Sequence, residues 1–491
     1  MAKNLVYDIH DKPKFSKLIV FAIQQLLAIM AATIAVPGIG GNGMSASAAL
    51  FGAGIGTLVY QLFTKFRSPV FLGSSFAFIG SMCAAFAGAA SMSLGYLGLL
   101  LGALMAGLVY VVIALVVKYV GVAWINKLMP TAVIGPTVAL IGLSLAGAAI
   151  SDVFSYGPKT ADGSAFVMST GAWVSFICAI VTLLVVTLCS TYGKKMTKLI
   201  PFIIGVLAGY AVALIFTLIG YAAEVDALKI IDFAPFRALV DGGVSLNTFI
   251  DVPDFSFVEA FKGFEHFEWS YLATVAVAYI PVAFVVFAEH IADHKNLSSI
   301  IDKDLIEDPG LEKTLLGDGV GSIAGTVLGV CPNTTYGESV GCVAITKNAS
   351  VATITTTAFM CIVLSFISPV MALLQTIPSC VMGGVCLTLY GFIAVSGLKM
   401  FKDLDLGDNK NLFVVSAILI SGIGGLTIQI PYALAANGAI SKTIQITSIA
   451  TALIIGIVTN AILTKLEKSK LGNASPEQTA TEDEVSKNEE V

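Results

Sequence analysis

Charge is what this chain lacks most. Asp, Glu, Lys and Arg make up only 12% of its 491 residues, about half the share found in an ordinary soluble domain. The net charge of −5 comes with no basic patch, which sets nucleic acid aside as a partner. Paired cysteines are also missing. The eight, at positions 83, 178, 189, 331, 342, 361, 380 and 386, form no CxxC or similar spacing, and most fall inside apolar runs. That argues against a disulfide framework or a zinc site and for free thiols that pack as small hydrophobes. No cleavage-site pattern follows the first apolar run, so no removable signal peptide is expected.

What the chain has instead is hydrophobic sequence, 56% of it, spread along the whole length in long runs. A polytopic membrane protein is expected. Fourteen spanning segments can be counted: 18–36, 46–63, 70–90, 96–117, 131–150, 171–189 and 199–220, then 270–292, 314–328, 331–346, 351–374, 380–398, 411–429 and 444–464. With the N-terminus inside and sides alternating, all but Lys159, Lys229, Arg237, Lys262 and Lys442 of the 27 basic residues fall on the inner side. That is the positive-inside bias, and it places both termini in the cytoplasm. The expected organisation is a cytoplasmic N-terminus (1–17), a seven-span repeat (18–220), an extracellular segment (221–269), a second repeat (270–464) and a disordered tail (465–491). The segment 221–269 mixes acids with many Phe, as expected of chain that lies on the membrane surface or caps the protein.

Two pairs of stretches look alike. "PTAVIGPTVALIGLSLAG" (130–147) matches "PSCVMGGVCLTLYGFIAVSG" (378–397), and "GSSFAF" (73–78) matches "NTTYGE" (333–338). Each pair is separated by seven spans. Seven is odd, so the halves are inverted, which is the architecture of secondary transporters. The interrupted spans are the third and the tenth. Unwound backbone at membrane depth is tolerable only where it lines a cavity or is buried in protein. The expected fold is therefore all-α and polytopic, with short extended stretches in spans 3 and 10.

The charges that remain inside spans carry the functional signal. Glu338 lies well inside the tenth span, and Glu289, His290 and Asp293 sit toward the end of the eighth. An acid at bilayer depth costs about 2.5–3.5 kcal/mol on insertion scales, so its default reading is functional. Glu289 and Asp293 are four residues apart and share a helix face; His290 and His294 share the neighbouring one, toward the cytoplasmic exit. The His pair is not an HExxH zinc motif, because Ile291 rather than Glu follows the first His. Two carboxylates, the aromatics Phe76 and Tyr336, and exposed N–H groups of broken helices complement a planar ring with N–H donors and C=O acceptors. Two acids meeting one neutral ligand should not both stay charged, which makes them proton carriers. A proton-coupled symporter for a small heterocycle is expected, with no enzymatic activity and no cofactor.

The stretch "AEHIADHKNLSSIIDKDLIEDPGLEKTLLGDGVGSIAGTVLGVCPNTTYGESVGCVAITK" (288–347) resembles the signature region of the nucleobase–ascorbate transporters, in particular their bacterial uracil-permease branch. The likeness continues through "AATIAVP" (31–37), "FLGSSFAF" (71–78) and "PSCVMGGVCLTLYG" (378–391). The resemblance implies fourteen spans in two inverted sevens, divided into core and gate domains. It also implies a homodimer in the cell membrane that works by an elevator-like movement. It implies that Glu289 and Glu338 hold the nucleobase, flanked by Phe76 and Tyr336 and by N–H groups near Phe76 and Gly337. Ala32 becomes a contact in the first span and Tyr390 a supporting hydroxyl. Proton coupling falls to Glu289, Asp293, Tyr390 and His290. The chain departs from the family pattern at Ser339, where Asn is usual, and at Asp293, which stands in a position occupied elsewhere by a relay His. The expected function is proton-coupled uracil import. A xanthine or urate symporter of the same family is the alternative, and an anion transporter on the same fold a more distant one.

Overall fold

A computed structural model describes residues 5–473, except 164, 195 and 435–439. The longer elements are, in chain order, α1 (Phe15–Gly40), α2 (Ala46–Phe63), β1 (Leu72–Ser74), α3 (Ile79–Ala87), α4 (Met92–Val120), α5 (Thr131–Ser144), α6 (Ala146–Val153), α7 (Thr170–Tyr192) and α8 (Pro201–Ala222). They continue with α9 (Trp269–Ile301), α10 (Leu311–Val327), β2 (Asn333–Thr335), α11 (Gly337–Thr346), α12 (Val351–Ser365), α13 (Ser379–Lys399), α14 (Asn409–Ile423), β3 (Ile428–Leu434), β4 (Ile440–Ile446) and α15 (Ser448–Asn473). Among the described residues, nine helical segments are long and apolar enough to cross a membrane. The shorter apolar helices include α12, α14 and the stretch Phe76–Ala87.

Glycine sets how closely these helices approach. Lipid gives no hydrophobic push between spans, so small residues that admit close backbone contact hold them together. On α2, a Cβ at Gly52 would lie 2.2 Å from the carbonyl oxygen of Gly325 on α10, and one at Gly56 would lie 2.9 Å from that of Gly321. The seam between α5 and α13 is built the same way. A Cβ at Gly142 would fall 2.2 Å from the Tyr390 carbonyl, and one at Gly397 2.2 Å from the Ala139 nitrogen. These two helices carry the first pair of matched sequences, and each begins after an N-cap proline, Pro130 and Pro378.

The second matched pair also meets. β1 and β2 form a two-stranded antiparallel sheet in which Leu72 faces Thr335, Gly73 faces Thr334 and Ser74 faces Asn333. Every residue of both strands is buried. Their backbone groups satisfy each other, which is what permits extended chain inside a helical bundle. Each strand leads into a short helix: β1 into the 3₁₀ turn Phe76–Phe78 and α3, β2 into α11.

The architecture differs from the expectation in four places. It is mostly helical rather than all-α, because β3 and β4 form a second antiparallel pair, with Ile428 facing Ile446. The alternation of Ile with Gln, Thr and Lys there favours extended chain. The eighth segment, expected to end at 292, continues as α9 through Ile301, where Asp302 adopts a left-handed conformation (φ 58°) and its N–H reaches Ser298 O. The segment expected at 351–374 breaks at Phe366–Ile367, where Ile367 bridges to Ile250. The tail expected to be disordered from Lys465 begins inside α15, where Lys410 holds Glu467 at 2.8 Å; the part beyond 473 lies outside the described residues.

At the N-terminal end, residues 5–11 run beside 347–351. Val6 N–H donates to Lys347 O (2.7 Å), Ala349 N–H to Tyr7 O (2.9 Å) and Val351 N–H to Ile9 O (3.0 Å). Asp8 pairs with Lys303, just past the end of α9, at 2.6 Å. That lysine holds the Asp8 carboxyl below its ordinary range.

Candidate functional site

The polar stretch at residues 289–294 lies in mid-helix, because α9 extends well beyond it. Its side chains divide by face. Asp293 points toward the crossing of β1 and β2, and Glu289 lies one turn before it on the same helix face. Asp293 is buried, and its Oδ2 accepts a hydrogen bond from the Thr335 hydroxyl at 2.7 Å. Its Oδ1 would lie 3.8 Å from a Cβ at Gly337. Glu289 is only partly enclosed, yet its Oε2 is buried without a hydrogen-bond partner among the described residues. It lies within electrostatic reach of Asp293, Glu338 and Asp318.

His290 and His294 are wholly buried and do not face a cytoplasmic exit as expected. Their rings stack with centroids 4.1 Å apart. His290 Nδ1 lies 2.7 Å from Asp318 Oδ2, and its Nε2 lies 3.0 Å from Thr314 Oγ1, both on α10. His294 Nδ1 donates to the His290 carbonyl at 2.8 Å, and its Nε2 meets the Tyr60 hydroxyl of α2 at 2.8 Å. Helical spacing identified the shared face but not its direction. That face turns toward α2 and α10, where Tyr60, Thr314 and Asp318 meet the rings.

On the opposite side, α11 starts at Gly337 with Tyr336 as its N-cap. Gly337 is exposed and Glu338 partly so, an open surface within an otherwise buried region. The first N–H groups of a helix have no partner within it, so this end offers donors to an acceptor. The Phe76–Phe78 turn after Ser75 offers a second such end. Tyr336 is buried, and its hydroxyl donates to Ser74 O at 2.8 Å. Its ring lies over Gly73, where an added Cβ would come within 2.4 Å of two ring carbons. Phe76 stands edge-on to Tyr390, with ring centroids 5.6 Å apart, and the buried Tyr390 hydroxyl lies beside the Cys386 thiol. Ala32 is fully buried in α1.

Ser339, where the family pattern has Asn, is also fully buried, and its hydroxyl accepts a hydrogen bond from Gln25 Nε2 on α1 at 2.5 Å. The shorter side chain is thus met by a long amide from the neighbouring helix. A cavity of about 370 Å³ opens beside α1, α6 and α13, lined in part by Asp152, Asp254, Met382 and Cys386. Cys386 is one helical turn from Tyr390. The cavity therefore approaches the aromatic flank of the site from the side of segment 221–269, but neither Glu289 nor Glu338 lines it.

Sequence reasoning missed Asp318. It lies within the expected span 314–328 and is 1% exposed. An acid inside an apolar, Gly-rich run is the same signal that singled out Glu338, and it pointed here too. Gln25 carried no signal in the sequence, and Thr335 only its place in the matched stretch 333–338, since a hydroxyl or amide acquires its partner only from the fold.

A family model described as the Permease family matches residues 16–431. The chain is 36% identical to a uracil permease of Bacillus caldolyticus, over 93% of this chain and 94% of that one. It is 34% identical to one of Bacillus subtilis, over 95% and 97%, and 33% identical to one of Escherichia coli, over 86% and 88%. The fold is similar to the transmembrane domain of the cyanobacterial bicarbonate transporter BicA, with a TM-score of 0.57 at 14% identity, covering 92% of this chain and 100% of that one. It is also similar to murine Solute Carrier 26 family member A9, with a TM-score of 0.56 at 12% identity, covering 93% and 69%. At such identities the likeness concerns the fold alone. The apolar helices and the match over most of the length lead to one conclusion: the chain belongs to the Permease family and is an integral membrane protein.

Proposed function

We propose that this chain is a nucleobase transporter that imports uracil together with protons. One observation carries the reading. The β1–β2 crossing sets two half-helix N-termini and the rings of Phe76 and Tyr336 beside α9, where Glu289 presents a buried oxygen without a hydrogen-bond partner among the described residues. Uracil is a planar ring with two N–H donors and two C=O acceptors. Glu289 and Glu338 would take the N–H groups, the N–H groups near Phe76 and Gly337 would face the carbonyls, and the two aromatics would cover the ring. The similarity to uracil permeases along nearly the whole chain supports this choice of ligand.

Asp293, one turn from Glu289 and tied to Thr335, would exchange a proton with it, and their shared helix face supports that role. Tyr390 supports the Phe76 flank. The matched halves, each with a strand leading into a short helix, support fourteen spans in two inverted repeats. Core and gate domains moving elevator-fashion in a plasma-membrane homodimer with cytoplasmic termini complete the reading.

The decisive experiment is competition for binding among uracil, thymine, xanthine and urate on the purified protein. Uracil should displace the others, and preference for xanthine or urate would overturn the assignment. Glu289→Ala should abolish binding. In vesicles, uptake against a gradient should stop when the proton gradient is collapsed; continued accumulation would rule out symport.

A further inference from the structure

The hydrogen bonds around His290, together with its charge surroundings, point to the number of protons that site holds. Thr314 has a single hydroxyl proton, which can go to Leu311 O at 3.1 Å or to His290 Nε2 at 3.0 Å. With no Lys or Arg paired to the buried Asp318 among the described residues, the first arrangement, which leaves Nε2 its own proton, is the neutral one. The Thr314 oxygen is then an acceptor for His290 Nε2–H at 3.0 Å. With Nε2 protonated, Nδ1 faces Asp318 Oδ2 at 2.7 Å. An unprotonated Nδ1 and a carboxylate both present lone pairs, so a contact that short needs one proton between them. Whether it sits on nitrogen or oxygen, the pair carries one titratable proton and no net charge. The neighbouring His294 differs. Its Nδ1 donates to a carbonyl and its Nε2 meets the Tyr60 hydroxyl, partners that suit a neutral imidazole.

A second observation gives this proton somewhere to go. Asp318 Oδ1 and Glu289 Oε2 are both buried and without hydrogen-bond partners among the described residues. Buried polar atoms are almost always satisfied, so two unsatisfied carboxylate oxygens within electrostatic reach of each other call for an explanation. The groups facing the pair are Glu289, Asp293 and His294 on its own helix, Thr314 on α10, and the edge of the Tyr110 ring on α4, with centroids 6.3 Å apart. Tyr60 on α2 reaches it through His294, and Glu338 on α11 is within electrostatic reach of Glu289. No Lys or Arg makes an ion pair with Asp318, Glu289 or Asp293 among the described residues.

We propose that His290 and Asp318 form a proton site of their own, which holds one proton beside Glu289 and exchanges it with that carboxylate during turnover. This rests on the transport reading above. In the exchange an N–H or O–H bond of the pair breaks and an O–H bond forms on Glu289. The pair is left as neutral His290 with its remaining proton on Nδ1 toward the Asp318 carboxylate, the Thr314 hydroxyl turns to donate to Nε2, and Glu289 becomes a neutral acid. The reverse step restores the starting state.

The test is Asp318→Asn in the full-length transporter, in proteoliposomes. The amide can still donate to Nδ1 but carries no titratable proton. Uracil binding and uracil-for-uracil exchange should persist. Gradient-driven accumulation, about fifty-fold at 100 mV for one proton, should collapse toward parity, and the pH profile of uptake should flatten. Wild-type accumulation with a wild-type pH profile would overturn the proposal. So would loss of uracil binding by a folded variant, since Asp318 would then belong to the ligand site. Infrared spectra of the wild-type protein with labelled aspartate provide a second measurement should the variant not fold. With histidine labelled as well, a protonated-carboxyl or an imidazolium band that shifts on adding uracil is expected, and a spectrum with neither refutes the shared proton. Failure of the wild-type protein to bind uracil would count against the transport reading instead.

Discussion

Gly73→Ala tests whether the strand crossing sets the site. The Cβ would lie 2.4 Å from two carbons of the Tyr336 ring and 2.9 Å from a third. The ring cannot slide away freely, because its hydroxyl is tied to Ser74 O and its backbone N–H to Phe71 O at 3.2 Å. Forcing a methyl group into packed space costs about 1–3 kcal/mol. Losing the tyrosine hydrogen bond adds about 0.5–1.5 kcal/mol. Together these reach about 1.5–4.5 kcal/mol. Borne by the bound geometry, that should lower affinity for the proposed ligand uracil by about tenfold to a thousandfold, at 1.4 kcal/mol per tenfold. Calorimetric titration of purified protein reads the affinity, and thermal unfolding reads any share taken by stability. Gly147→Ala is the control, since nothing lies within 4 Å of its Cβ. Wild-type affinity together with wild-type stability in Gly73→Ala would refute the claim that Tyr336 is fixed by this contact.

Further outcomes follow from the same contacts. Ser339→Ala leaves the Gln25 amide buried without its acceptor, so thermal unfolding should report a loss of about 1–3 kcal/mol. Glu338→Gln exchanges an acceptor for a mixed donor and acceptor, so uracil affinity should fall in a binding assay while xanthine gains relative to it. Asp8→Asn removes the ion pair to Lys303. Because the Asp8 pKa is depressed when folded, its contribution is present above the ordinary value of 3.8 and lost as pH falls through the depressed one. The pair is about half exposed, with side chains 43% and 46% accessible, which keeps that contribution below about 1 kcal/mol. Melting curves of wild type and variant should therefore differ slightly at neutral pH and converge in acid. A gap that widens on acidification would reverse the sign of this argument.

The membrane character of this chain follows from the sequence alone. A bilayer core demands long uncharged runs, and such runs are visible without knowing what they pack against. The same solvent makes every buried acid conspicuous, which is why Glu289, Asp293 and Glu338 could be singled out one at a time. The likeness of residues 73–78 to 333–338 was also legible, because it is a matter of residue order. What the sequence could not supply was direction around the helix and partners far along the chain. Spacing put His290 and His294 on one face, but only the folded α2–α10 seam turns that face inward to Tyr60 and Asp318. Asp293 finds Thr335 42 residues away, and Gln25 finds Ser339 at a separation of 314. Those pairings depend on which helices the glycine seams bring together, and close approach of two backbones is a property of both surfaces at once. The sequence determined the solvent this protein lives in and the residues out of place in it. The tertiary structure alone decided which of them share a hydrogen bond, and so where a proton can be held.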